Sequence, residues 1–163
     1  MSRRVVIDSQ VFGREGGSLR GELPVVSLRR LHDLLTDTAG NLEYRIAGAV
    51  GSSNRIQLLV EVDGVLSLCC QRCLDPLEYP LQLRSLLEFV DHEGDLTQEE
   101  LEDDSRDFLP HVKELDVAVL IEDEILLALP SVVRHEDCVL PGGGQESAKV
   151  SPFSVLAGLH GKA

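Results

Sequence analysis

The chain has 163 residues, 43% of them hydrophobic, with no Trp, four Phe and two Tyr, which suits one domain with a core built mainly of Leu and Val. No apolar run approaches the roughly 18 residues of a membrane span, and the start "MSRRVVIDSQ" lacks the apolar stretch and cleavage site of a secretory signal, so the expectation is a soluble, cytoplasmic protein. The formal charge of −13 falls on residues 85–163, whereas residues 1–84 balance Arg against Asp plus Glu; long-range attraction to nucleic acid is disfavoured, and any RNA contact must use a local patch in the neutral half.

Residues 1–24, with "GREGGSLRGELP", read as an N-terminal arm or edge segment. "VVSLRRLHDLLTD" offers Ser27 as an N-cap and Leu28, Leu31, Leu34 and Leu35 at helical spacing, predicting a short helix. From Leu42 the period becomes two. Leu42, Tyr44 and Ile46 alternate with Glu43 and Arg45, and Ile56, Leu58, Val60 and Val62 alternate with Arg55, Gln57, Leu59 and Glu61. Asp63-Gly64 is a hairpin signal between that strand and "VLSLCCQ". After "RCLDP", Tyr79, Leu81, Leu83, Ser85, Leu87 and Phe89 alternate again, giving four strands in an antiparallel meander with one face covered.

Residues 91–107, "DHEGDLTQEELEDDSRD", are too acidic to bury much apolar surface and are predicted as a mobile acidic loop. In "ELDVAVLIEDEILLALP", Asp116 is placed to cap a helix whose face carries Val117, Leu120, Ile121, Glu124, Ile125 and Ala128, and Leu129-Pro130 ends it. Asp123 reads as solvated; Glu124, closer to the apolar stripe, is expected to pair with an arginine of the sheet. "PGGGQESAK" reads as a flexible linker, and "SPFSVLAGL" as a tail helix with Ser151 as cap, Pro152 at its first position, and Phe153, Leu156 and Ala157 on one apolar face. The predicted class is α+β: an antiparallel β-meander of about four or more strands with a few helices packed on it. It is divided into an arm at 1–24, a core at 25–140 containing the acidic loop, and a linker and helix at 141–163.

Three of the four cysteines lie in "CCQRC". Cys70 and Cys73 form half of a zinc knuckle, and His135 with Cys138, at H-x-x-C spacing, supplies the ligand types for the other half, a Cys3His set. Strand alternation puts Cys69 and Cys70 on opposite sides, so only one of them joins Cys73. A redox dithiol favours a helix N-terminus, and here the motif follows a strand. Structural packing of reduced thiols, a redox pair and a structural zinc all remain open at this point. His32, His92, His111, His135 and His160 stand in no motif with a nucleophile, and "GREGG" and "PGGGQ" lack the Lys-Ser/Thr of a phosphate loop. No enzyme and no small-molecule substrate are expected. For RNA, Arg29, Arg30, Arg45, Arg55 and Arg72 are the candidate phosphate contacts, with Tyr44 or Tyr79 to stack a base. For a basic protein, the acidic half is the candidate surface, Glu122 and Glu124 included.

With "CQRCLDPLEYPL" at 70–81, "LDVAVLIEDEILLALP" and its His and Cys loop at 115–138, and "SPFSVLAGL" at 151–159, the chain resembles the YceD family of large ribosomal RNA subunit accumulation proteins. The resemblance implies a role in assembly or accumulation of the large ribosomal subunit, acting on precursor rRNA or a precursor particle, without known catalysis. It places the family's CxRC turn on Cys70, Arg72 and Cys73 and its acidic helix pattern on Glu122, Glu124 and Pro130. Some relatives carry further cysteines after the helix; this chain has Cys138 with His135. The expected function is therefore a non-enzymatic factor binding large-subunit rRNA or its precursor particle; the alternative is an acidic adaptor or chaperone for a basic ribosomal protein or another assembly factor.

Overall fold

The computed structural model describes residues 4–92, 94 and 96–141. The predicted tail helix and most of its linker lie outside the described residues. The architecture is α+β, with a mostly antiparallel sheet and a few helices.

The main sheet is built on β4 (Asn41–Val50), β5 (Ile56–Cys69) and β6 (Pro76–Val90), which run as an antiparallel meander. Strand β2 (Ser18–Pro24) pairs antiparallel with β4 at one edge, and β7 (Asp107–Pro110) pairs parallel with the last residues of β6 at the other. Strand β3 (Leu35–Asp37) pairs with the far end of β5, beyond the reach of β4. A separate ladder joins β1 (Val6–Ile7) to β8 (Leu115–Asp116).

Asp63-Gly64 makes no turn. It lies inside β5, opposite Gln82 and Leu81, so two predicted strands are one long strand. A type I′ hairpin needs positive φ at both central residues, and among the described glycines only Gly16 and Gly40 take positive φ. Gly64 instead makes room: a Cβ there would sit 2.4 Å from Leu42 Cδ2, and Leu42 is fully buried.

Alternation sorts the sheet into two faces, because residues paired across strands share a face. Leu42, Ile46, Leu58, Val60, Val62, Leu66, Leu81 and Leu87 form the buried face. It is covered by α3 (Val117–Ala128), which contributes Val117, Leu120, Ile121 and Ile125. Asp116 caps this helix by accepting from the backbone N–H groups of Ala118 and Val119, and Leu129, just before Pro130, leaves it in extended geometry, as the sequence predicts. Residues 27–35 depart from expectation. They form two 3-10 turns, Val25–Ser27 and Arg29–Leu34, followed by β3. The Ser27 hydroxyl donates backward to the Pro24 carbonyl instead of capping, and Leu28 and Leu31 alone of the predicted stripe are fully buried.

The acidic stretch is ordered where it meets the sheet. Thr97 and Glu100 form a reciprocal capping box on α2 (Gln98–Leu101), and Asp107 begins β7. A short helix, α1 (Ser9–Arg14), closes the other end of the sheet, its Gly13 against Ile56. No helix among the described residues is long and apolar enough to cross a membrane.

Candidate metal centre and charged surfaces

The turn between β5 and β6 closes on itself: the Cys70 N–H donates to the Asp75 carbonyl, and the Leu74 N–H to the Cys70 carbonyl. Leu74 takes φ of +67°, in the left-handed region that disfavours a side chain. The Gln71 N–H donates to the Val133 carbonyl at 2.8 Å, which joins this turn to the loop after α3.

That junction brings Cys70, Cys73, His135 and Cys138 together, with their ligand atoms all within 4.8 Å of one another. Cys70 Sγ lies 3.7 Å from Cys138 Sγ, and Cys73 Sγ 3.3 Å from His135 Nδ1. A tetrahedral zinc with Zn–S bonds of about 2.3 Å holds its sulfurs about 3.8 Å apart, so the residues present fit such an ion. The His135 Nε2 sits 3.1 Å from the Pro76 carbonyl. A carbonyl only accepts, so Nε2 carries the proton and Nδ1 offers its lone pair to the cluster, the outer-shell arrangement typical of metal-binding imidazoles. Cys69 stays outside, its sulfur near the Cys70 and Leu74 carbonyls, as alternation predicts.

The sulfurs differ in electrostatics. Burial opposes ionisation of Cys70, but the backbone N–H groups around it, led by those of Cys73 and Arg72, outweigh burial and bring its thiol down to about 5. At Cys73 the Asp75 N–H favours the thiolate, yet burial and the neighbouring Cys70 and Cys138 sulfurs push the thiol up to about 11. The cluster thus holds protons that a bound cation would displace. Arg72 braces it: Nε donates to Cys138 Sγ at 3.0 Å, and Nη2 donates to the carbonyls of His135 and Glu136.

Arg72 is therefore engaged within the chain, and so are two other candidate RNA contacts, Arg30 with its side chain still half exposed. The Arg30 backbone N–H donates to Glu122 Oε1 at 2.7 Å, its Nε to Glu122 Oε2 at 3.1 Å, and its Nη2 bonds Asp123. Arg55 bridges Glu88 and Glu100. Glu122, not Glu124, receives the arginine, and Asp123 is paired too, because the 3-10 turn at Arg29–Leu34 delivers Arg30 to that side of α3. Glu124 is 5% exposed and accepts from the Ser85 hydroxyl; burial, with Asp107 and Asp123 nearby, raises its carboxyl above the ordinary range. Of the five arginines, Arg29 and Arg45 remain exposed and outside any ion pair among the described residues. Tyr44 and Tyr79 are half-buried against the core.

Three features have no clear signal in the sequence. On the open face of the sheet, Arg20, Arg45, Glu61 and Arg84 pair across four strands as one row, with Glu22, Glu43, Asp63 and Gln82 as the next. Glu88, 1% exposed, accepts from Gln57 at 2.7 Å and from Arg55 and Arg106, which fastens the acidic stretch to the sheet. Its sequence phase is that of exposed residues such as Gln82 and Arg84. The third is the recess beside Glu124, between β6 and α3.

A model of the family described as large ribosomal RNA subunit accumulation protein YceD matches residues 58–160. The chain belongs to the YceD family. The matched stretch contains the whole of the Cys70–Cys138 cluster, α3 and the acidic segment; the YceD description ties the chain to large-subunit rRNA accumulation. No solved structure matches it.

Proposed function

We propose that this YceD-family chain supports accumulation of large-subunit rRNA without catalysis, acting in the cytoplasm as an acidic adaptor that holds a basic protein component of the precursor particle. The observation that carries this reading is the engagement of Arg30, Arg55 and Arg72 in contacts within the chain, which takes three candidate phosphate contacts away from RNA. Arg30 and Arg55 pair with only a few acids of the half beyond residue 85, whose own formal charge is −13. The cysteine–histidine cluster acts in this reading as a structural zinc centre that pins the turn at 70–75 to the loop after α3.

A second reading, direct contact with precursor rRNA, is favoured by the exposed row Arg20, Arg45 and Arg84 on the sheet face opposite the one α3 covers. The acids of that face, Glu43, Glu61 and Asp63, oppose phosphate binding, so RNA contact is secondary here. Ultraviolet crosslinking of tagged protein in growing cells, followed by sequencing of attached RNA, separates the two. The adaptor reading expects no more rRNA reads than an untagged control, and protein crosslinks from the acidic half to basic chains. Reads concentrated in one region of large-subunit rRNA, lost in Arg45→Glu, would replace it with the RNA reading.

A further inference from the structure

Strand β6 has 15 residues, yet β7 pairs with only Leu87–Val90 of it. Among the described residues, the same edge from Leu77 to Leu86 hydrogen-bonds no other strand or loop backbone. Such an edge is a template for a further strand. Pro80 interrupts its first half, as prolines blunt natural edges; Leu83–Leu86 has no such break. Here the edge forms the floor of a recess. One wall is Asp104 and Asp107, where the acidic segment turns away from the sheet, and the other is Glu124 and Leu127 of α3.

The chemistry of the walls selects an occupant. Glu124 has no cationic partner among the described residues although it is 5% exposed, and Asp107 adds charge of the same sign nearby. Leu127, one turn on, is 75% exposed. Arg84 lines the same recess but through the opposite face, where its side chain lies 3.8 Å from Glu61. The recess therefore presents backbone hydrogen-bonding groups, unneutralised carboxylates and one apolar spot in a row.

We propose that the Leu83–Leu86 edge and the Glu124–Asp107–Leu127 recess bind an extended basic segment of a partner protein by strand addition to β6. Side chains two apart on an added strand face the same way. A Lys or Arg opposite Ser85 turns toward Glu124 and Asp107, and an apolar side chain two residues along covers Leu127. The inference rests on the adaptor reading and names its contact: a basic tail in extended form.

The test uses full-length protein and two synthetic peptides of about eight residues, one repeating Arg-Thr-Val-Thr so that Arg and Val share a face two residues apart, the other with each Thr replaced by Pro. Fluorescence anisotropy measures affinity, and hydrogen exchange reports the backbone amides of residues 83–86. The expected result is binding of the Arg-Thr-Val-Thr peptide with new protection at 83–86. Affinity should fall at least about tenfold in Leu127→Arg and in the Glu124→Gln, Asp107→Asn double variant, with the Pro peptide weaker by a similar factor. Equal binding of both peptides would mean diffuse charge attraction and overturn the proposal. So would unchanged exchange at 83–86, or protection already present without peptide, which would assign the edge to the chain's own tail. Failure here leaves the crosslinking result of the adaptor reading untouched, since basic partners could still be held elsewhere on the acidic half.

Discussion

The Nδ1 atom of His135 lies 3.3 Å from the sulfur of Cys73, across 62 residues of sequence. The Pro76 carbonyl fixes the ring from behind, and Cys73 comes from the same turn, so one short segment both supplies a ligand and orients its partner. Free thiols packed for bulk alone would not require a histidine held in one tautomer beside them.

The first prediction follows from that geometry. Protein purified without chelator should carry about one zinc per chain, measured by elemental mass spectrometry. Removing it should lower the melting temperature by at least about 5 °C. Cys73→Ser should lose both metal and the chelator-sensitive part of the stability, while Cys69→Ser should keep both, because Cys69 lies outside the cluster. Metal-free protein as stable as the wild type, with Cys73→Ser no different, would leave the cluster as simple thiol packing.

Arg72 and Arg45 should separate cleanly. Arg72 braces Cys138 and two carbonyls of the loop, so Arg72→Ala should weaken metal retention and speed hydrogen exchange across 133–138. Arg45 is exposed on the sheet, and Arg45→Ala should change neither. A competition titration against a zinc-binding dye reads the first effect; equal retention in the two variants would show that the Arg72 contacts contribute nothing to the centre.

What could be read in the sequence was local. The limits of α3 follow from Asp116 and Pro130, which act within a few residues of themselves, and the ligand set from side-chain types at knuckle spacing. What could not be read depends on partners far along the chain. Asp63-Gly64 carries turn chemistry, but continuous pairing with β6 and the buried Leu42 beneath it keep the strand extended. Arg30 meets Glu122 across 92 residues, which no periodicity announces. Glu88 becomes buried because the acidic stretch folds back over it, a contact between segments that the alternation of its strand does not announce.

Gly64 offers a direct check of that account. Gly64→Val should destabilise by about 1–3 kcal/mol, since its side chain would be forced into Leu42 in a packed core. In a true hairpin turn the same change would instead be penalised through φ, and Gly64→Asn would be well tolerated. Urea denaturation of both variants decides it: Asn no worse than Gly would argue for a turn, whereas both variants destabilised matches a strand interior.

Two buried glutamates should respond to pH with opposite signs. At Glu88, burial raises the carboxyl, but Gln57, Arg55 and Arg106 outweigh it and hold the group below its ordinary range. A carboxyl lowered by folding contributes stability above its unfolded value, near 4.3, and loses it as pH falls through the folded value. Glu88→Gln should therefore cost about 3 kcal/mol at neutral pH and progressively less in acid. At Glu124, burial wins and the carboxyl is raised. Its contribution is fully present below the unfolded value and is lost as pH rises through the folded one, so at neutral pH the ionised group is a liability. Glu124→Gln should stabilise the chain at pH 7 and make little difference near pH 4. Urea midpoints of the two variants across that range test both. If Glu124→Gln destabilises at pH 7, then a cation, from solvent or from the chain itself, already neutralises the recess.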